Sequence, residues 1–382
     1  MFIDTHVSDG ADYQYTMTLI STQHDKMNHL TGSFIKKTFT PEIFESMKKK
    51  KDVISPYVET FHESEIPDSG LTAFMETPRF VSGYLSLFNC FAFISESHML
   101  KPFDQRKAST LRIIQSICEI SYKHSDEIRE LRKRALDADF AASSFYYNWK
   151  LDESQKEMIS FNGYKAIFEK SAITTHDRLR YDRSQPYTKE IPFYDHFMAT
   201  DSLPIPKFIY LPQAWENIGR MLEVNHIRIT RVREDSSVSA QQFYIEDMKT
   251  VSNPYEGHYL HYDIKKRTTT NTILMRKGDF IIDTRQEGIR FIMEALVADA
   301  NDSYFAWGFF DSILQQKEWF SAYIFEDLAK QILAENVELN KSYHEWLLTH
   351  ADEDSYSQLY YIYSHSKYFE KSYRLFPCGF IY

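Results

Sequence analysis

The sequence predicts an α/β protein in two parts: a mixed sheet with flanking helices, then a mixed α/β region that is β-rich first and helical at its end. An apolar run at residues 88–94, short and rich in aromatic side chains, is typical of a buried central strand. Long helical periodicity follows this run, whereas short alternating stretches separated by proline begin after Ala141. The chain of 382 residues is long enough for two hydrophobic cores. We therefore place domains at residues 1–140 and 141–382.

Two more strands and two helices are predicted in the first domain. The strands lie at residues 2–7 and 15–20. A helix is expected over residues 40–50, because Thr40-Pro41 combines a capping side chain with a proline suited to the first turn. A longer helix is expected over residues 109–137. Its apolar stripe consists of Leu111, Ile114, Cys118, Ile128, Leu131 and Ala135.

The second domain begins with a predicted hairpin. Residues 158–161 and 164–168 alternate around Asn162-Gly163, a pair that supplies the positive φ angles of a type I′ turn. Further strands are predicted at residues 208–211, 227–232, 242–246, 259–264, 271–275 and 279–283. Helices are predicted at residues 213–223, 288–297, 317–334, 341–348 and 355–365.

Composition excludes several classes of function. The net charge of -10 argues against a nucleic-acid surface. The three cysteines contain no Cys-x-x-Cys pair, so they predict neither a disulfide framework nor a structural zinc site. No apolar run reaches the roughly 18 residues of a membrane span. No glycine-rich phosphate loop is present, so nucleotide chemistry is not expected.

Spacing alone gives weak candidates for metal binding. The pattern His-x-x-Glu occurs at His62/Glu65, His124/Glu127 and His350/Glu353. With 14 histidines such matches arise by chance, and the last two lie where i, i+3 side chains are surface neighbours. His258 and His261, with Asp263 nearby, lie on an alternating strand, where positions i and i+3 point to opposite faces. None of these patterns is expected to hold a metal.

His6 and Glu96 are a more informative pair. Each follows a predicted strand of the same sheet, and active sites of open α/β sheets lie beyond the carboxyl ends of strands. One imidazole and one carboxylate there could be a metal ligand and a general base. The alternative is that Glu96 pairs with Lys101 or Arg106 at the strand end, and the local pattern alone favours this ion pair. A catalytic zinc needs three protein ligands, so one histidine leaves the site incomplete.

Two stretches around this pair resemble the zinc metallocarboxypeptidase family of carboxypeptidase A-like enzymes, and more narrowly its large bacterial members with an extra C-terminal domain. They read FIDTHVSDGADYQY at residues 2–15 and ISESHMLKPFDQR at residues 94–106. Three later stretches are also similar to that subgroup, at residues 253–258, 306–312 and 315–319. The resemblance thus covers most of the chain and is most specific at His6 and Glu96.

The resemblance implies a fold, a reaction and a set of ligands. Residues 1–140 would be the C-terminal part of a mixed-sheet α/β/α carboxypeptidase domain, and residues 141–382 an accessory domain. The reaction would be hydrolysis of the C-terminal bond of peptides or proteins, with Zn²⁺ as cofactor. His6 would be the zinc ligand on a strand, and Glu96 the base that activates the zinc-bound water. Full-length relatives are expected to be secreted or periplasmic.

Three weaker candidates surround this pair. Arg79 and Tyr84 fall in the segment where the family places residues that contact the substrate, although a surface arginine and a packed tyrosine are equally expected. Asp4 lies two positions before His6 on the same strand face and could orient the imidazole as an acceptor.

The sequence also departs from the family pattern. The family places His-x-x-Glu, which supplies two zinc ligands, before the strand histidine, whereas only five residues precede His6. Cys90 stands where relatives commonly carry arginine. We therefore expect a chain that lacks its beginning, with the missing N-terminal fragment as a possible partner. The alternative is a non-catalytic module whose aromatic-rich region after residue 143 binds peptide or glycan.

Overall fold

The computed structural model describes residues 1–61 and 66–382, so the predicted His62/Glu65 pair lies outside the described residues. The chain forms several mixed sheets with helices, which confirms the general α/β class. The helices are α1 (His29–Phe34), α2 (Thr40–Lys49), α3 (Val81–Ser86), α4 (Phe103–Lys123), α5 (Ser125–Ala141), α6 (Glu216–Val224), α7 (Ile289–Leu296), α8 (Ala322–Glu335), α9 (Val337–His350) and α10 (Ser355–Ser364). The strands are β1 (Phe2–Ser8), β2 (Met17–Ser21), β3 (Ser55–Pro56), β4 (Glu59–Thr60), β5 (Leu71–Thr72), β6 (Ala92–His98), β7 (Ser144–Leu151), β8 (Glu157–Lys170), β9 (Asp177–Tyr194), β10 (Phe197–Pro204), β11 (Phe208–Leu211), β12 (Ile229–Arg231), β13 (Ser236–Thr250), β14 (His261–Met275), β15 (Phe280–Asp283) and β16 (Gly379–Ile381).

The first sheet has the strand order β1-β6-β2-β3. Strand β1 runs parallel to β6, and β2 runs antiparallel to β6 on its other side. Strand β6 is buried at every position, as predicted for a central strand. It begins at Ala92 rather than at residue 88, because the chain first turns at Asn89, whose φ is 53°. Phe88 packs on the core of the second region instead.

The predicted helix over residues 40–50 is confirmed as α2, but Thr40 does not cap it, because one continuous helical segment runs from α1 to α2. The segment begins after Asn28, whose side chain accepts a hydrogen bond from the Leu30 amide. Between the two α-helices, residues 35–39 form a π-helical turn. Pro41 follows this turn, and a proline inside a regular α-helix would remove a hydrogen bond and clash with the preceding turn. The wider turn is where the helix accommodates Pro41.

The predicted helix over residues 109–137 is two helices, α4 and α5, which meet at His124. The buried face of α4 carries Ile113, Ile117 and Ile120 rather than the predicted stripe. Leu111 is 56% exposed. The prediction failed for α4 because both faces of this helix carry apolar side chains at helical spacing, and periodicity alone does not say which face packs on the sheet. For α5 the predicted stripe is confirmed, since Ala135 is buried and Ile128 and Leu131 pack against the same apolar core.

The predicted turn at Asn162-Gly163 is also wrong. Both residues lie inside the long strand β8, and the hairpin to β9 turns at residues 171–176. Gly163 is paired with Tyr187, and a Cβ added to Gly163 would lie 2.4 Å from the tyrosine ring. The glycine therefore allows close approach of an aromatic ring within a strand.

The remaining elements largely match the predicted types. A six-stranded sheet has the order β12-β15-β11-β16-β13-β14. The predicted strands at residues 259–264 and 271–275 belong to the single strand β14. The helical tail is confirmed as α8, α9 and α10, which pack around their own apolar cluster. Across residues 1–61 and 66–382, no helix combines the length and the apolar character needed to cross a membrane.

The two predicted domains share structure across their boundary. Strand β5 of the first domain pairs in parallel with β9 of the second, in a sheet of order β4-β5-β9-β8. Residues from both sides of the boundary therefore line common surfaces, including the cavity beside His24 and His196 that is described below.

Candidate functional site

The first polar group lies at the carboxyl ends of β1 and β6. His6 and Glu96 are register partners in this parallel pair, and His6 Nδ1 lies 3.6 Å from Glu96 Oε1. On the opposite side of the ring, His6 Nε2 lies 3.1 Å from Asp4 Oδ2. The structure therefore brings these three predicted residues together, with one imidazole between two carboxylates.

Glu96 is the more enclosed member of the pair, with a side chain 10% exposed against 50% for His6. Burial raises the pKa of Glu96 above its ordinary value, and the nearby His6 opposes this rise. The ion-pair alternative for Glu96 is wrong. Lys101 Nζ lies 3.6 Å from Asp12 Oδ1, and Arg106 Nε donates to the Lys101 carbonyl.

The group around His6 does not form a complete zinc site. A catalytic zinc takes three protein ligands and a water. His6 is the one imidazole here, and its two nitrogens face Asp4 and Glu96 on opposite sides. Within the described part of the chain, the one three-residue cluster of suitable ligand atoms lies elsewhere. The residues at this sheet end thus supply one of the three ligands that the family would use.

The structure does not direct Arg79 and Tyr84 toward this group. Arg79 Nη2 lies 2.6 Å from Oδ1 of the buried Asp302, and its backbone amide donates to the same carboxylate. The Tyr84 hydroxyl donates to Asn225 Oδ1 at 2.7 Å. Both side chains therefore contact the second region and hold it against the first.

A second polar group lies at the opposite end of the same sheet. It consists of His24 and Asp25, from the loop between β2 and α1, and His196, from the loop between β9 and β10. His24 Nε2 lies 3.4 Å from Asp25 Oδ1, and His196 Nδ1 lies 3.3 Å from Asp25 Oδ2. One carboxylate therefore lies between two imidazoles, the reverse of the arrangement at His6.

Local hydrogen bonds fix the two loops. Gln23 Oε1 accepts from the Asp25 amide, and Gln23 Nε2 donates to the Asp195 carbonyl at 2.7 Å. The Phe197 amide in turn donates to Asp25 Oδ2. Asp25 is therefore held by both loops, and its carboxylate faces both histidines without needing a ligand.

Charged side chains surround this second group. Asp195 is buried and pairs with Lys36, whose ammonium also lies 2.9 Å from Glu157 Oε1. Burial lowers the pKa of His24, although Asp25 and Asp195 oppose the change. The group forms part of the wall of a cavity of about 890 Å³. The apolar residues lining this cavity include Met27, Phe44, Ile54, Ile159 and Phe193.

The other predicted histidine patterns have ordinary partners. His124 and Glu127 are in contact at 2.8 Å on the protein surface, where His124 also meets Glu42. His350 Nδ1 lies 2.9 Å from the Trp346 carbonyl.

His258 and His261 also bind different groups, but the prediction that both lie on one strand is wrong, because β14 begins at His261 and His258 belongs to the preceding turn. His258 Nδ1 lies 3.0 Å from the Trp307 carbonyl, whereas His261 Nε2 lies 2.9 Å from Asp311 Oδ1. Asp263 pairs with Lys249.

Sequence reasoning missed the group of His24, Asp25 and His196. The only available indication was that both segments contain adjacent aspartate and histidine, as His24-Asp25 and Asp195-His196. No fixed spacing joins them, because they belong to loops far apart in the chain. Comparisons with protein-family models, with curated proteins and with solved structures found no match.

Proposed function

We propose that the chain carries the catalytic edge of a zinc metallocarboxypeptidase, which hydrolyses the C-terminal bonds of peptides. The observation that carries this proposal is the register of β1 and β6, which places His6 opposite Glu96 at 3.6 Å. Under this proposal the first sheet belongs to the α/β/α domain of such an enzyme.

Glu96 is the proton carrier in the proposed reaction. A carboxylate with a raised pKa is a stronger base, so it removes a proton from water more readily and can then return it to the leaving amine. Burial causes this rise of the pKa of Glu96, and the nearby His6 opposes it. The half-exposed imidazole of His6 is the residue here that would bind Zn²⁺, which in such enzymes supplies an activated water. The other two ligands would have to lie outside this group.

The test is hydrolysis of peptides with free C-termini by the purified chain, alone and combined with an N-terminal fragment that carries His-x-x-Glu, with and without added Zn²⁺. Glu96→Gln is expected to lower turnover by at least about 100-fold, the usual contribution of a general base. Glu127→Gln, a change to an exposed acid on α5, is the matched control and should leave turnover unchanged. Equal turnover in the Glu96→Gln protein and in the unaltered protein, or no hydrolysis even with the added fragment, would contradict the proposal, whereas the chain alone is expected to bind zinc poorly.

A second candidate function is binding of peptide or glycan without catalysis. It is favoured by a cavity of about 960 Å³ in the helical tail, lined by Trp319, Trp346, Tyr356, Tyr360, Tyr361 and Tyr373. Trp346 stacks on Tyr361 with ring centroids 4.8 Å apart, and Trp319 is 62% exposed. Exposed aromatic faces of this kind bind sugars and apolar side chains.

Tryptophan fluorescence with peptide and oligosaccharide probes tests this candidate. Binding that is lost in Trp319→Ala but retained in Trp149→Ala, a change on β7 outside this cavity, would support it. If neither class of probe changes the fluorescence, the candidate fails.

A further inference from the structure

The separations within the group of His24, Asp25 and His196 match those of ligands around one metal ion. Tetrahedral ligands at the zinc–nitrogen distance of about 2.0–2.1 Å lie about 3.3–3.4 Å apart. His24 Nε2 lies 3.4 Å from Asp25 Oδ1 and His196 Nδ1 lies 3.3 Å from Asp25 Oδ2, so the two separations involve different oxygens of one carboxylate. The three ligand atoms all lie within 4.8 Å of one another.

A second observation concerns buried atoms without hydrogen-bond partners. In the described part of the chain, His24 Nε2 and Asp195 Oδ1 are both buried and lack such a partner. Asp195 is 5% exposed, and its Oδ1 lies 3.9 Å from His196 Nε2. Buried polar atoms left unsatisfied are costly, so native structures rarely contain them.

A metal ion accounts for the unpartnered nitrogen of His24, and Asp195 Oδ1 lies 3.9 Å from the second nitrogen of His196. His24 Nε2 would be a ligand, and Asp195 Oδ1 faces the ring nitrogen of His196 opposite to the one that points at Asp25. Histidines that bind metals usually have a carboxylate or carbonyl on that second nitrogen, which fixes the ring and its tautomer. Asp195 therefore occupies the place of an orienting carboxylate.

The donor set restricts the class of ion. Two imidazoles and one carboxylate suit zinc and other divalent transition metals, whereas Ca²⁺ and Mg²⁺ prefer oxygen ligands throughout. Lys36 pairs with Asp195 and Glu157, so it leaves the Asp25 carboxylate available.

We propose that His24, Asp25 and His196 bind a divalent transition metal whose remaining coordination position faces the cavity. The ion joins the loop before α1 to the loop between β9 and β10, and so fastens the first predicted domain to the second. This site lies away from His6 and Glu96. In the antiparallel pair of β2 and β6, Thr18 lies opposite Glu96 and Ser21 lies opposite Phe93, which is about 10 Å further along β6. His24 follows Ser21 in the chain and therefore lies at the far end of the sheet.

The test is titration of the chelator-treated protein with Zn²⁺ alone, and with Co²⁺, whose visible absorption reports four-coordinate geometry. We expect one ion per chain at this group. His24→Ala and His196→Ala should each lower the affinity more than about 100-fold, since removal of even an orienting partner of a ligand costs 10–100-fold. His29→Ala, which changes an exposed histidine of the same cavity, is the matched control and should bind normally.

The outcomes separate this site from the proposed catalytic edge. His6→Ala should not alter the affinity, whether or not the chain hydrolyses peptides. If a variant fails to fold, Zn²⁺ protection of His24 and His196 from chemical modification in the unaltered protein, with His29 unprotected, gives the same answer. Absence of Zn²⁺ binding, or equal affinity in the His24→Ala and His196→Ala proteins, would overturn the proposal.

Discussion

The two ends of the first sheet carry the same kinds of side chain in opposite arrangements. At the carboxyl end of β6, the half-exposed imidazole of His6 lies between the carboxylates of Asp4 and Glu96. At the other end, the carboxylate of Asp25 lies between two imidazoles, in a more enclosed setting. The first arrangement favours a proton carrier, since burial and neighbouring acids raise the pKa of Glu96. The second favours a metal, since it offers two imidazoles and one carboxylate as ligands.

The two ends also differ in how the chain builds them. His6 and Glu96 come from neighbouring strands of one sheet, so parallel register alone brings them together. His24 and His196 come from loops of two regions and meet only because those regions pack. The first group is therefore visible in the sequence, whereas the second depends on tertiary structure.

Removing one basic side chain from each end should give the largest contrast in stability. Lys36→Met leaves the buried Asp195 without its cation, and breaking a buried pair in this way costs about 3 kcal/mol or more. His6→Ala removes an exposed partner of Asp4 and should cost less than about 1 kcal/mol. Urea unfolding of both variants measures the difference. Similar losses of unfolding free energy in the two variants would show that the two ends of the sheet are equally enclosed.

Metal should stabilise the protein through one end only. At a Zn²⁺ concentration 100-fold above the dissociation constant, the free energy of unfolding should rise by about 2.7 kcal/mol. The rise should vanish in His196→Ala and persist in His6→Ala. Thermal unfolding with Zn²⁺ and with a chelator measures both. An increase that depends on His6 instead would place the metal at the group of His6 and Glu96.

Stability of the metal-free protein should fall in mild acid because of His24. Its folded pKa lies below the ordinary value of 6.5, so the unfolded chain binds the proton first. The loss begins as the pH falls below 6.5 and continues through the lower folded pKa, with a slope of at most about 1.4 kcal/mol per pH unit for one group. His24→Gln should flatten this part of the profile, whereas His29→Gln should leave it unchanged.

The smallest expected effect is a shift in the titration of Glu96. His6 lowers the pKa of Glu96, whereas Asp9 raises it. His6→Asn should therefore move the titration to higher pH, and Asp9→Asn should move it to lower pH. Carboxyl chemical shifts measure the titration directly, and the acidic limb of a pH–rate profile should follow it. Shifts of the same sign in both variants would exclude electrostatic control of Glu96 by its neighbours.

Much of the architecture can be predicted from local sequence patterns, because a run of apolar residues indicates a buried segment. The central strand, the strand at His6 and the three helices of the tail were predicted with the correct type. The proximity of His6 and Glu96 was also predicted correctly, because it requires only that their two strands end at the same edge of one sheet. Their role in catalysis stays a prediction.

The wrong predictions share one cause. In each case the local sequence was compatible with two structures, and tertiary contacts selected one of them. Asn162-Gly163 is a strong turn sequence, yet the glycine is needed for Tyr187. The stripe at Leu111 is as regular as the buried stripe at Ile113, and only the packed sheet distinguishes them. The group of His24 and His196 could not be predicted for the same reason, because nothing local joins two loops of different regions.

The π-helical turn at residues 35–39 sets the rotation of the whole segment from α1 to α2. Thr31, Ile35, Phe39, Ile43 and Met47 are spaced by four and are all buried to 1% exposure or less. In a regular α-helix each step of four overshoots a full turn by about 40°, so such a row would wind around the helix. The wider π-helical turn offsets part of this rotation, so the buried row of side chains keeps facing the sheet. Deleting one residue there would turn α1, and the Lys36 ammonium with it, out of phase with the core.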